Sequence, residues 1–246
     1  MKFYSVGTSR WVEPAKALNK NYNIPSAAFP GKDLFFITNR AIDMVKSDPA
    51  GYDPKLNPAF VYITAGLIDL TEKVTYGRGA NRYQEIMFYE DITAAANRVM
   101  KEYENSSFKL LGQNGIIPVY STITPMSFWD WNYARLVQGK TSALHHIEDY
   151  WVMQEDLEEC IVDINNRIRE MNSNTFPGCG FLTPRIADYV FQKKGADQPF
   201  RFRHNRLTDG VHPDSETVKN WVKEMVNTID KNADTFVDFE GAVGKH

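Results

Sequence analysis

Three side chains stand at spacings that suit nucleophilic chemistry. Ser9 follows Gly7-Thr8 at the end of an apolar run, and Asp209 and His212 lie three residues apart in the segment DGVHP. A serine hydroxyl is a weak nucleophile until a neighbouring base takes its proton. Histidine is the usual base, because its pKa lies near neutrality. The imidazole in turn needs a partner on its other nitrogen, to fix the tautomer and stabilise the cation. The Asp-x-x-His spacing lets one short turn present both groups. Ser9 at a strand-to-helix corner stands clear of a sheet, and its backbone N–H points toward the start of the next helix, a favourable place for a developing oxyanion.

The surrounding pattern supplies elements able to hold such a site. Phe3 to Val6 reads as a first strand, Val12 to Lys20 as a helix and Ile24 to Phe29 as a second strand closed by Pro30-Gly31. Asp33 is a candidate N-cap for a helix carrying Leu34, Ile37, Ile42 and Val45. The run AFVYITA, Ala59 to Ala65, is nearly continuous in apolar and β-branched residues, as expected for a parallel strand covered on both faces. From Arg82 to Tyr103 the apolar spacing predicts one helix. Gly115 to Ile123 predicts a strand, although Pro118 cannot donate to a ladder. Ile147 to Met171 predicts a long amphipathic helix with Leu157, Ile161, Ile164 and Ile168 in one stripe, followed by a break to Gly180. Asp214 to Ile229 predicts the last helix, and a polar tail from Lys231 is expected to fray. The expected organisation is a single domain over residues 1–230 with a flexible tail over 231–246. Strand–helix alternation predicts an α/β fold, with a mostly parallel central sheet and helices on both faces. Ligands of such sheets bind beyond the carboxyl ends of the strands, and that is where the loops carrying Ser9, Gly31 and Gly66 to Asp69 fall, while Asp209 to His212 directly precede the last helix.

Bulk properties narrow the function classes. Over 246 residues, 43% are hydrophobic and 24% charged, which fits a globular chain and excludes disorder. A net charge of −3 gives no reason to expect bulk nucleic-acid or membrane-surface binding. No apolar run reaches the length of about 18 residues that crosses a bilayer. With no leader-like apolar segment at the N-terminus, the expected location is cytoplasmic. Cys160 and Cys179 are too few for a disulfide framework and are expected as free thiols. His145-His146 lacks further ligands at metal spacing and reads as a solvated face. Arg201, Arg203, His204 and Arg206 form a basic loop, read first as solvated and second as a contact for an anionic substrate or nucleic acid. In SFWDWNYARL, Phe128, Trp129, Trp131 and Tyr133 read as core, or alternatively as an apolar wall for an acyl chain or a stacking surface for a sugar, with Trp129 as a substrate-binding candidate.

The order of these segments resembles the SGNH/GDSL hydrolase superfamily from residue 3 to about 229. Gly7-Thr8-Ser9 resembles its nucleophile block, Gly31 its second-block glycine, Gly66-Leu67-Ile68-Asp69 its third block, and Asp209-Gly210-Val211-His212 its final Asp-x-x-His block. The resemblance implies a three-layer α/β/α sandwich with a flavodoxin-like sheet. It implies hydrolysis of a small-molecule carboxylic ester through an acyl-enzyme on Ser9, with His212 as base, Asp209 as its orienter, no cofactor and no metal. It also implies an oxyanion hole from the N–H groups of Ser9 and Gly31, with Gly66 at the substrate. Two positions depart from the pattern. Thr8 stands where the family has aspartate. Ile68 stands where it has the oxyanion asparagine, and an aliphatic side chain cannot donate a hydrogen bond. Losing one such donor costs about 10²–10³ in rate. Thr64, Thr71 or the Ser121 to Thr124 loop are alternative donors. The rival expectation is a weak or dead module of this fold that binds a ligand, nucleic acid or protein partner, of the kind that viruses and mobile elements encode.

Overall fold

The computed structural model describes the chain except residues 50–52, 54–57, 78–82, 176–179, 195–197, 203–205 and 244–246. Its elements run β1 (Lys2–Gly7), α1 (Val12–Tyr22), β2 (Ser26–Ala28), α2 (Leu34–Lys46), β3 (Ala59–Thr64), α3 (Leu67–Leu70), β4 (Glu72–Tyr76), β5 (Tyr83–Met87) and α4 (Ile92–Lys101). They continue α5 (Lys109–Gln113), β6 (Ile116–Tyr120), α6 (Phe128–Val137), α7 (Tyr150–Ser173), β7 (Phe191–Lys194), β8 (Gln198–Phe202) and α8 (Ser215–Val243).

The central sheet has four parallel strands in the order β2-β1-β3-β6. Strand β3 sits inside it and is buried at every position, which is why its sequence shows no polar alternation. Its side chains still alternate between two cores. Ala59, Val61 and Ile63 join Tyr4 and Val6 under α2, α4 and α7, in a core that includes Ile37, Val99, Leu157 and Ile164. Phe60 and Tyr62 join Trp11, Leu18, Trp221 and Met225 under α1 and α8 on the other face. These two cores make the three layers, α/β/α. Pro118 is tolerated because β6 is an edge strand, paired only to β3.

Local chemistry sets the helix starts. The Asp33 carboxylate accepts from the Phe36 N–H at 2.8 Å and caps α2. The carboxylate of Asp69 reaches the same terminus and accepts from the Leu34 N–H at 3.2 Å. Asp69 therefore ties the loop after β3 to the start of α2. Burial pushes its carboxyl up to about 6, with the neighbouring Asp33 charge adding to the rise and the Leu34 N–H opposing it. Cys160 is a buried thiol, pushed up to about 12 chiefly by that burial; Cys179 lies outside the described residues.

The structure corrects two expectations. The segment Arg82 to Tyr103 is not one helix: β5 pairs antiparallel with β4, and the helix starts only at Ile92. Ile86 falls on the strand, and Asp91 caps α4 by accepting from the Ala94 N–H at 3.0 Å. The last helix does not stop at Ile229 but continues to Val243. Its inner face stays engaged beyond Ile229. Asn232 donates to the Tyr62 hydroxyl and to the Leu182 carbonyl, both at 3.1 Å, and Phe236 packs edge-on against Phe60. A polar composition hid that face, because one buried asparagine holds it.

Candidate active site

The carboxyl ends of the parallel strands border a cleft of about 510 Å³. Its lining gathers residues from distant parts of the chain: Ser9 after β1, Gly31 after β2, Leu67 and Ile68 after β3, and His212 from the loop before α8. Trp131 and Arg135 of α6, with Glu72 and Lys73 of β4, complete its sides.

Each loop is held by main-chain bonds. Thr8 donates its N–H to the Thr64 carbonyl at 3.1 Å, and the Phe29 N–H reaches the Gly7 carbonyl at 2.8 Å, so the corners after β1, β2 and β3 are locked together. Ser9 opens a single 3-10 turn, Ser9–Trp11. The indole N–H of Trp11 donates to the Ser5 hydroxyl at 2.7 Å, and its ring stacks on Trp221 of α8 at 6.5 Å.

The loop from Thr208 to Asp214 closes on itself. The Thr208 N–H donates to the His212 carbonyl at 2.8 Å, and the Asp214 N–H to the Arg206 carbonyl at 3.0 Å. Within it, Asp209 Oδ1 accepts from the N–H groups of Val211 and His212 at 3.1 and 2.8 Å, while Oδ2 stands 2.7 Å from His212 Nδ1. The carboxylate is thus engaged through both oxygens, and it fixes the ring with Nδ1 turned inward. Burial pushes the Asp209 carboxyl up, but the ring of His212 and the two backbone N–H groups together outweigh it and hold the carboxyl below its ordinary range. Gly210 is needed for docking this loop. Its φ is +77°, and a Cβ there would lie 2.8 Å from both the Ser127 carbonyl oxygen and the Trp131 nitrogen. The Trp131 ring then lies 6.0 Å from the His212 ring.

Ser9, Gly31, His212 and Ile68 all line the cleft, with Asp209 directly behind His212. Two expected substrate contacts lie elsewhere. Gly66, at φ +102°, sits where a Cβ would be 2.5 Å from Ile123 Cδ1 and 2.7 Å from the Tyr103 hydroxyl, so close packing accounts for this glycine. Trp129 packs edge-on against Tyr150 at 5.4 Å, and the cleft tryptophan is Trp131. Residues two apart on a helix point to nearly opposite sides, so one indole of the pair had to face away. Among the alternative donors for Ile68, only Thr71 borders the cleft, and its hydroxyl donates to the Leu67 carbonyl at 3.1 Å. The Thr64 hydroxyl accepts from Ser121, and Thr124 is engaged by Arg10.

Arg10 was not visible as a site residue in the sequence. It is 4% exposed and borders the cleft directly after Ser9. Its Nη1 donates to the carbonyl and hydroxyl oxygens of Thr124. Burial pushes the guanidinium down to about 9, and the Asp209 carboxylate pulls it back up, so it is a cation at neutral pH. In the basic loop, Arg206 pairs with Glu216 at 2.6 Å. Arg201 belongs to β8, and Arg203 lies outside the described residues. Among the described residues no group of three or more His, Cys, Asp or Glu could hold a metal ion. No described helix is long and apolar enough to cross a membrane.

No protein-family model matches the chain, and no curated protein matches it. Solved structures do. A protein from Bacteroides fragilis, provisionally described as an acylhydrolase, superposes with a TM-score of 0.54 at 15% identity, over 94% of this chain and 86% of that one. A protein from Desulfitobacterium hafniense, provisionally described as a lipolytic protein of the G-D-S-L family, gives 0.49 at 11% identity, over 92% and 98%. The architecture is therefore a three-layer α/β/α sandwich around a parallel sheet. That layering is the one expected from the order of the four sequence blocks.

Proposed function

We propose that the chain is a serine ester hydrolase acting through Ser9, His212 and Asp209. One observation carries the reading: an Asp–His pair at 2.7 Å opens on the same cleft as a serine that follows the first strand. In the proposed cycle the Ser9 hydroxyl attacks the ester carbonyl carbon and passes its proton to Nε2 of His212. Asp209 holds the ring with Nδ1–H inward and stabilises the imidazolium. The N–H groups of Ser9 and Gly31 receive the oxyanion. The carbon–oxygen bond to the alcohol then breaks, and the alcohol leaves with the proton from His212. Water repeats the sequence on the acyl-enzyme and frees Ser9 and the acid. No step needs a cofactor.

The test is covalent labelling by a fluorophosphonate probe, with hydrolysis of p-nitrophenyl acetate measured beside it. The expected result is label on Ser9, and loss of both label and turnover in Ser9→Ala. Full turnover in Ser9→Ala refutes the proposal. One observation favours a second reading, a catalytically weak module that binds its ligand without efficient turnover. Ile68 borders the cleft where the resemblance calls for an amide donor. Specific binding of an ester or acid without labelling of Ser9 would support it. A nucleic-acid partner has less support, since Arg206 is already paired with Glu216.

A further inference from the structure

The buried cation beside the nucleophile has an edge that the protein leaves unused. Among the described residues Nε and Nη2 of Arg10 have no hydrogen-bond partner and are closed off from bulk water, while Nη1 is spent on Thr124. A buried charged donor without an acceptor is costly, and such groups are normally satisfied. Nε and Nη2 form the side-on fork of a guanidinium, two parallel N–H groups that match the two oxygens of a carboxylate. Asp209 is near enough to act on Arg10 electrostatically, but its two oxygens are taken by His212 and Val211. A carboxylate that arrives with a bound molecule would satisfy both groups at once. Among the described residues bordering the cleft, Arg135 is a second cation, beside the carboxylate of Glu72.

We propose that the cleft selects an ester whose acyl part carries a carboxylate, and that Arg10 is the residue that binds it. The inference deepens the ester-hydrolase reading and rests on it. Arg10 adjoins Ser9 in the chain and borders the same cleft, so the proposal puts the carboxylate on the acyl part, which stays on Ser9 in the acyl-enzyme. A dicarboxylic monoester fits that description, with one end anchored and the other attacked. The local cation also raises the concentration of such substrates in the cleft, an effect that salt screens.

The experiment compares two p-nitrophenyl esters of equal chain length, the neutral butyrate and the anionic hemisuccinate. The readout is the ratio of their kcat/KM values. The expected wild-type ratio is about tenfold or more in favour of hemisuccinate, falling as sodium chloride rises from about 0.02 to about 0.5 M. It should collapse in Arg10→Met and partly survive in Arg10→Lys, because a lysine keeps the charge but loses the fork. A wild-type enzyme that prefers butyrate, or a ratio unmoved in Arg10→Met, overturns the proposal and leaves the esterase standing. A parallel fall for both esters in Arg10→Met would make Arg10 a support for Asp209 and would also overturn it. If neither ester is hydrolysed, the esterase reading fails and calorimetry with succinate decides the anion site. Saturable binding to the wild type that Arg10→Met abolishes supports it, and no binding overturns it. Should Arg10→Met fail to fold, the wild-type ratio and its salt dependence still decide the matter: a salt-sensitive preference for hemisuccinate supports the anion site, and its absence overturns it.

Discussion

Replacing Asp209 with asparagine is a near-isosteric change whose effect can be worked out atom by atom. Oδ1 of the new amide keeps the two bonds from the N–H groups of Val211 and His212, now at 3.1 and 2.8 Å, so the loop stays closed. Its NH₂ group takes the place of Oδ2, 2.7 Å from His212 Nδ1. An amide donor there requires a lone pair on Nδ1, so the ring proton moves to Nε2. The nitrogen facing Ser9's cleft can then no longer accept a proton, and the charge that stabilised the imidazolium is gone. The expected loss is about 10⁴ in kcat, close to about 5 kcal/mol of transition-state stabilisation. The assay is p-nitrophenyl acetate hydrolysis with burst kinetics, and far-UV circular dichroism verifies that folding is unchanged. A well-folded Asp209→Asn variant that keeps more than a tenth of the wild-type rate would refute the assignment of roles, because the pairing would then have no catalytic consequence.

Further substitutions probe separate parts of the molecule. Ile68→Asn places an amide donor on the cleft and should raise kcat/KM for p-nitrophenyl acetate by about 10²; an unchanged rate would show that another group already serves the oxyanion. Gly66→Ala meets both a positive φ and a Cβ contact of 2.5 Å with Ile123, so urea unfolding should show a loss of about 2–5 kcal/mol. Asp69 has a folded pKa of about 6 against an ordinary 3.8, so the native state holds the proton more tightly. Its contribution to stability is present at low pH and fades as pH rises from about 4 to about 6, by up to about 3 kcal/mol. Asp69→Asn should flatten that part of the stability–pH curve, which urea midpoints taken at intervals of about one pH unit across that window would reveal.

The sheet and the outer blocks were legible because they depend on local pattern. AFVYITA could only be a strand covered on both faces, and DGVHP carries its own turn, its carboxylate and its imidazole in one short segment. The β4–β5 hairpin was hidden because Ile86, Tyr89 and Ile92 keep helical spacing by coincidence. Asp91, a ready-made N-cap directly before Ile92, was the signal that separates strand from helix there. The choice between Trp129 and Trp131 depends on how α6 is rotated against Tyr150, which is a tertiary fact. Arg10 was invisible for the same reason. An arginine after a serine reads as surface, and only the fold around Thr124 buries it.

The stacking of Trp11 on Trp221 has a temporal side. On the ribosome Ser9 emerges before the imidazole proposed to arm it, which follows about two hundred residues later. Over that interval the emerging polypeptide carries an inert alcohol. The two indoles come together only when α8 folds back onto the first helix, so the same closure that completes the second core would also bring the proposed base to Ser9. A half-made or misfolded copy would carry Ser9 without the base proposed for it.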